Sequence, residues 1–285
     1  MDSRNWIHNC ATKAQLEQFE EQGYLIVEDA LTPDLLSQIN KAVDRIWSKE
    51  RKAQNLATDQ LLAKFRTIVE DDIFLELLDN PKTFPLLWDI LGWNIQLYIS
   101  HLIVYPPEQR NREIKPGHWH QDGGRPVCEM ERPQPRLSLK VSYWLSDVDT
   151  PENGAMTIIP RSHKSDTKPE ACDTGIGTLP ICVKAGTAVL FDRRMWHRRG
   201  INTSDVTRRV LFFGYSYRWL RGLDYNNLSM QILSKCDPIR RQLLGDGVDV
   251  KGWWQPTEED VPLKGWLEKH RGKEYVASLD KASRG

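Results

Sequence analysis

The sequence predicts an α+β protein: N-terminal helices packed on one sheet of a double-stranded β-helix, the jelly-roll core of cupin-like barrels. Two observations predict it. Up to Gly92 apolar residues recur at helical spacing, whereas from Asn94 to Tyr217 they fall into short β-branched and aromatic runs. Those runs are separated by turn signals rather than by helices, the pattern of a closed or two-layered antiparallel fold.

The elements follow in order. Residues 12–22 form a helix: Thr12 caps it, Gln15 stands three further on as in a capping box, and Leu16 and Phe19 share a face. Gly23 stops it, and Tyr24 to Val27 is a short strand. Thr32-Pro33 opens a second helix with Leu36, Ile39, Val43 and Ile46 as its buried stripe, and polar residues 49–60 make a loop or a frayed helix end. Asp72 to Leu78 and Thr83 to Leu91 are two shorter helices. Strands are expected at Asn94–Tyr105, Leu137–Leu145, Ala155–Ile159, Thr187–Phe191, around His197, and at Arg208–Tyr217. Pro106-Pro107 stops the first, and a charged segment, Glu108 to Lys115, leads to Gly117–Gly124. Residues 164–178 are polar and contain glycine, so they form a surface loop that could serve as a lid. The tail carries Trp253-Trp254 and Trp266 and reads as helical, packed on the barrel. The chain is therefore one domain, 1–285: a helical part over about 12–92, a jelly-roll core over about 93–218 and an extension over 219–285.

Totals exclude several classes. The 39 basic and 39 acidic side chains cancel, so nothing draws nucleic acid or an anionic membrane surface. No apolar run is long enough to span a bilayer, and Met1 to Trp6 lacks the layout of a signal peptide. The 5 cysteines are scattered and none forms a Cys-x-x-Cys pair, which argues against a disulfide framework or zinc knuckle and for a reducing, cytoplasmic setting. The 11 tryptophans supply large flat surfaces for core and pocket walls.

The stretch Gly117-His118-Trp119-His120-Gln121-Asp122-Gly123-Gly124 carries the chemistry. On an extended strand His120 and Asp122 point the same way, so both could meet one metal ion. Taken alone, a His-x-Asp is as well a loop histidine held by a carboxylate. His197 is the best third ligand, and two histidines with one carboxylate suit non-heme Fe(II) and O₂ chemistry. Arg208 opens an apolar strand; facing inward it needs an anion, and a guanidinium grips a carboxylate with two parallel hydrogen bonds. An oxo-diacid such as 2-oxoglutarate supplies that carboxylate and chelates iron with its other end. Facing outward, Arg208 would pair with Asp205 or Glu152, and Arg209 would compete for the role.

Together these segments resemble the phytanoyl-CoA dioxygenase family of Fe(II)/2-oxoglutarate oxygenases. The matching residues are His120-Gln121-Asp122-Gly123, Pro151-Glu152-Asn153-Gly154-Ala155-Met156, Ile159-Pro160-Arg161-Ser162-His163, and His197 with Arg208; Gln22 to Val27 followed by the Pro33 helix is similar to that family's opening. The resemblance covers roughly residues 14–217. It implies that His120, Asp122 and His197 ligate iron, that Arg208 binds the distal carboxylate of 2-oxoglutarate, and that His101 lies against the cosubstrate. It also implies O₂ as co-reactant, succinate and CO₂ as products, and hydroxylation of a C–H bond in a small organic molecule, the intact Asp122 favouring hydroxylation over halogenation. Two positions depart from the family. Arg199 stands where a small hydroxyl residue is usual. Arg161 replaces the glycine of the Pro-Gly-Ser-His turn, which puts that residue's positive φ in question.

The substrate is less legible. By strand alternation Trp119 and Trp196 face away from the metal and are core. His118 shares the face of His120, toward the pocket or toward solvent. Arg125, Arg193, Arg194, Arg198 and Arg199 lend the motif a positive bias. Lys140, Ser142 and Trp144 share one face of their strand, Val141, Tyr143 and Leu145 the other, with either face toward the metal. Two other readings compete: a cupin-like barrel with different metal chemistry, and a barrel that binds metal or ligand without turnover.

Overall fold

The computed structural model describes residues 5–108, 115–224, 228–247 and 250–280. The chain forms two compact units, one of Met1–Leu16, Phe65–Ser100 and Phe213–Gly285, the other of Glu17–Lys64 and His101–Phe212. Nine strands occur among the described residues: β1 (Tyr24–Val27), β2 (Leu62–Phe65), β3 (Ile95–Tyr105), β4 (Ser138–Trp144), β5 (Met156–Ile158), β6 (Leu179–Ile181), β7 (Ala188–Asp192), β8 (His197–Arg199) and β9 (Arg208–Tyr217). Six form one sheet in the order β1-β7-β4-β9-β3-β2, and three form a second in the order β6-β5-β8. The β1–β7, β4–β7, β5–β6 and β5–β8 pairs are antiparallel. Two antiparallel sheets with long-range strand order are the expected jelly roll.

The strands of the second unit bury a shared core. Trp144, Phe191, Val210 and Phe212 from the larger sheet meet Met156, Ile158 and Ile181 from the smaller, and each such side chain contributes about 1.5–3 kcal/mol by leaving water. Helix α1 (Lys13–Gln22) precedes β1, and α2 (Pro33–Gln54) follows it. The Thr32 hydroxyl accepts from the Leu35 amide at 3.3 Å as the α2 N-cap. Ile39, Val43 and Ile46 are buried, as the stripe requires. The helix is fixed at the sheet by Asn40 Nδ2 donating to the Leu145 carbonyl (3.0 Å) and by the Arg209–Asp44 ion pair (2.8 Å).

Four local differences from the sequence reading have physical causes. Helix α2 runs on to Gln54, ended by Asn55 in the left-handed region (φ 53°), so part of the polar stretch 49–60 is helix. β2 and β6 lie at sheet edges, are only 4 and 3 residues long, and β6 contains Pro180, which only an edge strand tolerates. The loop 164–178 holds a single helical turn, Ala171–Thr174. The Gly117–Gly124 motif is not a continuous strand. His120 alone bridges to His197, and the chain turns at Asp122, with Gly123 and Gly124 at φ 125° and 56° leading into a short helix, Arg125–Glu129. Of the charged segment Glu108–Lys115, residues 109–114 lie outside the described residues.

In the first unit, α3 (Phe84–Leu91) is buried on all sides, and Trp88 and Phe84 meet Trp6 edge-on at 5.8 and 5.0 Å. Trp266, on the tail helix Pro262–Arg271, joins the same cluster 4.9 Å from Trp6. The tail is therefore helical at Pro262–Arg271, with Trp266 half-buried in this cluster, whereas Trp254 is 85% exposed.

Candidate metal centre

His120 and His197 are locked together by their backbones: each amide donates to the other's carbonyl at 3.0 Å, and the rings stand 4.2 Å apart. Their Nδ1 atoms lie 2.9 Å from the carbonyls of His118 and Met195 respectively. A carbonyl only accepts, so each Nδ1 carries the proton and each Nε2 keeps its lone pair for a metal. The Asp122 amide donates to the Arg193 carbonyl at 2.8 Å, which turns the carboxylate inward. Its Oδ2 lies 3.8 Å from His197 Nε2. One ligand atom from each of His120, Asp122 and His197 lies within 4.8 Å of the others.

The donors fit a divalent ion. Asp122 Oδ2 is buried and has no hydrogen-bond partner among the described residues. An ionised oxygen left bare in the interior is costly unless a cation completes it. Burial alone would raise the Asp122 carboxyl, but the neighbouring Lys140 ammonium, with His197, holds it well below the usual carboxylate range. His197 is pushed down to about 4 by burial, against the pull of Asp122. Both therefore present their ligating forms at neutral pH. Two imidazoles and a carboxylate on one side of an ion suit ferrous iron.

Arg208 opens β9 and is 3% exposed. It donates Nη1 to the Gly154 carbonyl and lies over Tyr105 (5.2 Å) and Trp144 (5.8 Å). Among the described residues no carboxylate pairs with it, and its Nε has no partner. Burial, with Arg199 nearby, pushes it down to about 9. Arg209, its neighbour, points the other way to Asn40 and Asp44, which resolves the competition between them. Alternation along β4 ties the two ends of the site together: Lys140, beside Asp122, and Trp144, beside Arg208, share one face. That answers which face of β4 looks toward the ligands. His101, on β3, is 9% exposed, stacks on Phe212 at 4.7 Å with planes 11° apart, and is pushed down to about 3 by burial and Lys140.

The remaining candidates find other employment. Arg199, two past His197, is held by Glu108 at 2.9 Å and covers the Tyr105 ring at 4.4 Å, so Tyr105 lies beside both Arg199 and Arg208. Trp119 and Trp196 pack against Ile159, Ala171 and Cys172, as core. His118 is exposed. Arg161 adopts φ 69° without being glycine, so the turn keeps the backbone shape that glycine usually provides. Sequence reasoning left Lys140 unassigned and passed over Tyr105 and Phe212. The available signal was a lysine inside the apolar run Leu139–Trp144, since an interior lysine needs a partner.

In a two-sheet fold, an exposed and a buried histidine converge with one carboxylate, and a buried arginine accompanies them; that is the donor set of the mononuclear non-heme oxygenase class. The sequence model of phytanoyl-CoA dioxygenase (PhyH) matches residues 19–210, and this chain belongs to that family. It is 39% identical over 224 residues to dioxygenase af480 of Aspergillus fumigatus, covering 72% of this chain and 66% of that protein. The fold matches HygX of Streptomyces hygroscopicus, solved with iron bound, at TM-score 0.59 and 15% identity over 78% of this chain and 94% of that one. It matches EctD of S. alaskensis, solved with 2-oxoglutarate and 5-hydroxyectoine, at TM-score 0.59 and 20% identity over 80% of both chains.

Proposed function

We propose that this chain is an Fe(II)/2-oxoglutarate-dependent dioxygenase that hydroxylates an unactivated C–H bond of a small organic molecule, with 1–285 as one oxygenase domain working in the cytoplasm. The observation that carries the reading is the occurrence together of a three-donor group and a buried guanidinium that has no carboxylate partner among the described residues. His120, His197 and Asp122 hold the ion from one side. Iron with 2-oxoglutarate supplies O₂ activation, yielding succinate and CO₂ as the substrate is oxidised. Arg208 grips the distal carboxylate and so orients the keto-acid end toward the ligands. Trp144, Phe212 and Tyr105 keep water from the site, and His101 fills the wall beside the cosubstrate. No helix among the described residues is long and apolar enough to cross a membrane, and the five cysteines are free.

The reading is tested by adding Fe(II) and 2-oxoglutarate to the protein without oxygen. A weak visible charge-transfer band is expected, absent in H197A and reached only at higher 2-oxoglutarate in R208A. A wild-type protein with no band rejects the assignment. A hydrolytic or isomerising metal barrel has no use for Arg208 and would respond to metal but not to 2-oxoglutarate. Screening small molecules for faster succinate release then finds the substrate.

A further inference from the structure

Lys140 lies on β4, a strand buried at every position, and is 7% exposed. Its Nζ donates to Asp122 Oδ1 at 2.8 Å. Asp122 Oδ2, 3.8 Å from His197 Nε2, is the oxygen without a hydrogen-bond partner among the described residues. The two oxygens of the ligand carboxylate are therefore unlike: one is engaged by an ammonium, the other is directed to the histidines.

That difference has a chemical consequence. A carboxylate ligates a metal through one oxygen or two. If Asp122 used both, the protein would fill four of six positions on an octahedral ion, a chelating 2-oxo acid would fill the last two, and dioxygen would have no place. With one oxygen, a third position stays open. An ammonium on Oδ1 occupies that oxygen's lone pair and repels a cation approaching along it. Resting on the iron and 2-oxoglutarate reading above, we propose that Lys140 is a positioning residue that restricts Asp122 to ligation through one oxygen and so preserves the open position for O₂. Ligating carboxylates are commonly fixed by such outer partners. A lysine is a costly choice on a doubly buried strand, where an apolar residue would pack with less desolvation. A role on the ligand carboxylate accounts for it.

The experiment compares wild type, K140M and K140R, anaerobically, by Fe(II) binding, by the 2-oxoglutarate charge-transfer band, and by the electron paramagnetic resonance signal of added nitric oxide, a stand-in for O₂. Methionine keeps the stem and removes the donor and the charge. K140M should bind Fe(II) at least as tightly as wild type and still show the 2-oxoglutarate band. Its nitric oxide signal in the presence of 2-oxoglutarate should fall by about tenfold or more, the scale of losing such an outer partner, and K140R should restore it. K140Q, uncharged and one bond too short to reach Oδ1, should repeat the loss and serves if K140M does not fold. An undiminished nitric oxide signal in K140M or K140Q overturns the proposal. So does loss of Fe(II) affinity in step with melting temperature, which marks a purely structural lysine. A wild-type protein without the band overturns the parent reading and this one with it, so the two failures are told apart by the wild-type control.

Discussion

Replacing Arg208 by methionine should stabilise the ligand-free protein while removing its grip on 2-oxoglutarate. The guanidinium is desolvated. A fall from 12.5 to about 9, from burial and the nearby Arg199 charge, corresponds to a cost of about 5 kcal/mol for the charged form at 1.4 kcal/mol per tenfold. Methionine relieves that cost and keeps the stem against Tyr105 and Trp144. It also gives up the charged hydrogen bond to the Gly154 carbonyl, about 1.5–3 kcal/mol. The balance is about 2–3.5 kcal/mol in favour of R208M, or about 3–6 °C in melting temperature for a chain of this size. The ligand effect has the opposite sign. Losing the carboxylate clamp should weaken 2-oxoglutarate by about 1.5–3 kcal/mol. At a concentration one hundred times the wild-type Kd, the ligand stabilises wild type by about 2.7 kcal/mol and R208M by roughly 1 kcal/mol or less. Thermal melts of both proteins, each loaded with metal, with and without 2-oxoglutarate, measure all four numbers. If R208M melts well below wild type without ligand, or keeps the full ligand-induced rise, Arg208 is a structural cation and the clamp argument fails.

Other expectations follow from the same geometry. His197 and His101 stay neutral in the folded protein down to about 4 and about 3, whereas in the unfolded chain both protonate near 6.5. The unfolded state therefore binds more protons as pH falls below about 6.5. Stability present above that pH should be lost toward pH 4, with a slope of up to about 1.4 kcal/mol per pH unit for each histidine. H101F, which keeps the stack on Phe212, should remove one histidine's share of that slope in urea titrations at pH 7 and 5, with His163, also pushed down by burial, contributing to the remainder; an unchanged slope would sink the assignment. T32A removes the α2 N-cap and should cost about 1 kcal/mol by denaturant midpoint, with no change in the slope m. In G214A the new Cβ would stand 2.5 Å from Ile99 Cγ2 and 2.6 Å from Tyr98 Cε1, an overpacking worth about 1–3 kcal/mol. A variant as stable as wild type would show that β3 and β9 yield at this point.

What the sequence disclosed, and what it withheld, divides along physical lines. Helices α1 to α3 and strands β3, β4, β7 and β9 were legible because their periodicity or their stops are local. The proposed ligands His120, Asp122 and His197 could be singled out because few residue types can hold a ferrous ion, so chemistry limits the choice even where geometry is unknown, and the structure brings the three together. Orientation was not local. β4 is buried on both faces, so alternation carries no sign of which face meets the ligands. Arg208 and Arg209 are adjacent and alike, and the partners that separate them, Asp44 and the Gly154 carbonyl, lie far off in the chain. The motif's bend at Gly123 was hidden because the i, i+2 rule supposes an extended chain. In the structure, reciprocal bonds between His120 and His197, and the bond from the Asp122 amide to the Arg193 carbonyl, bring the side chains together instead. Lys140 stands apart from both groups. Its residue type conflicts with its strand, and that conflict is visible without coordinates. An interior charge among Leu139, Val141 and Tyr143 is unfavourable by itself, so its presence points to a neighbour of opposite sign. The structure supplies that neighbour as the carboxylate of the proposed ligand set.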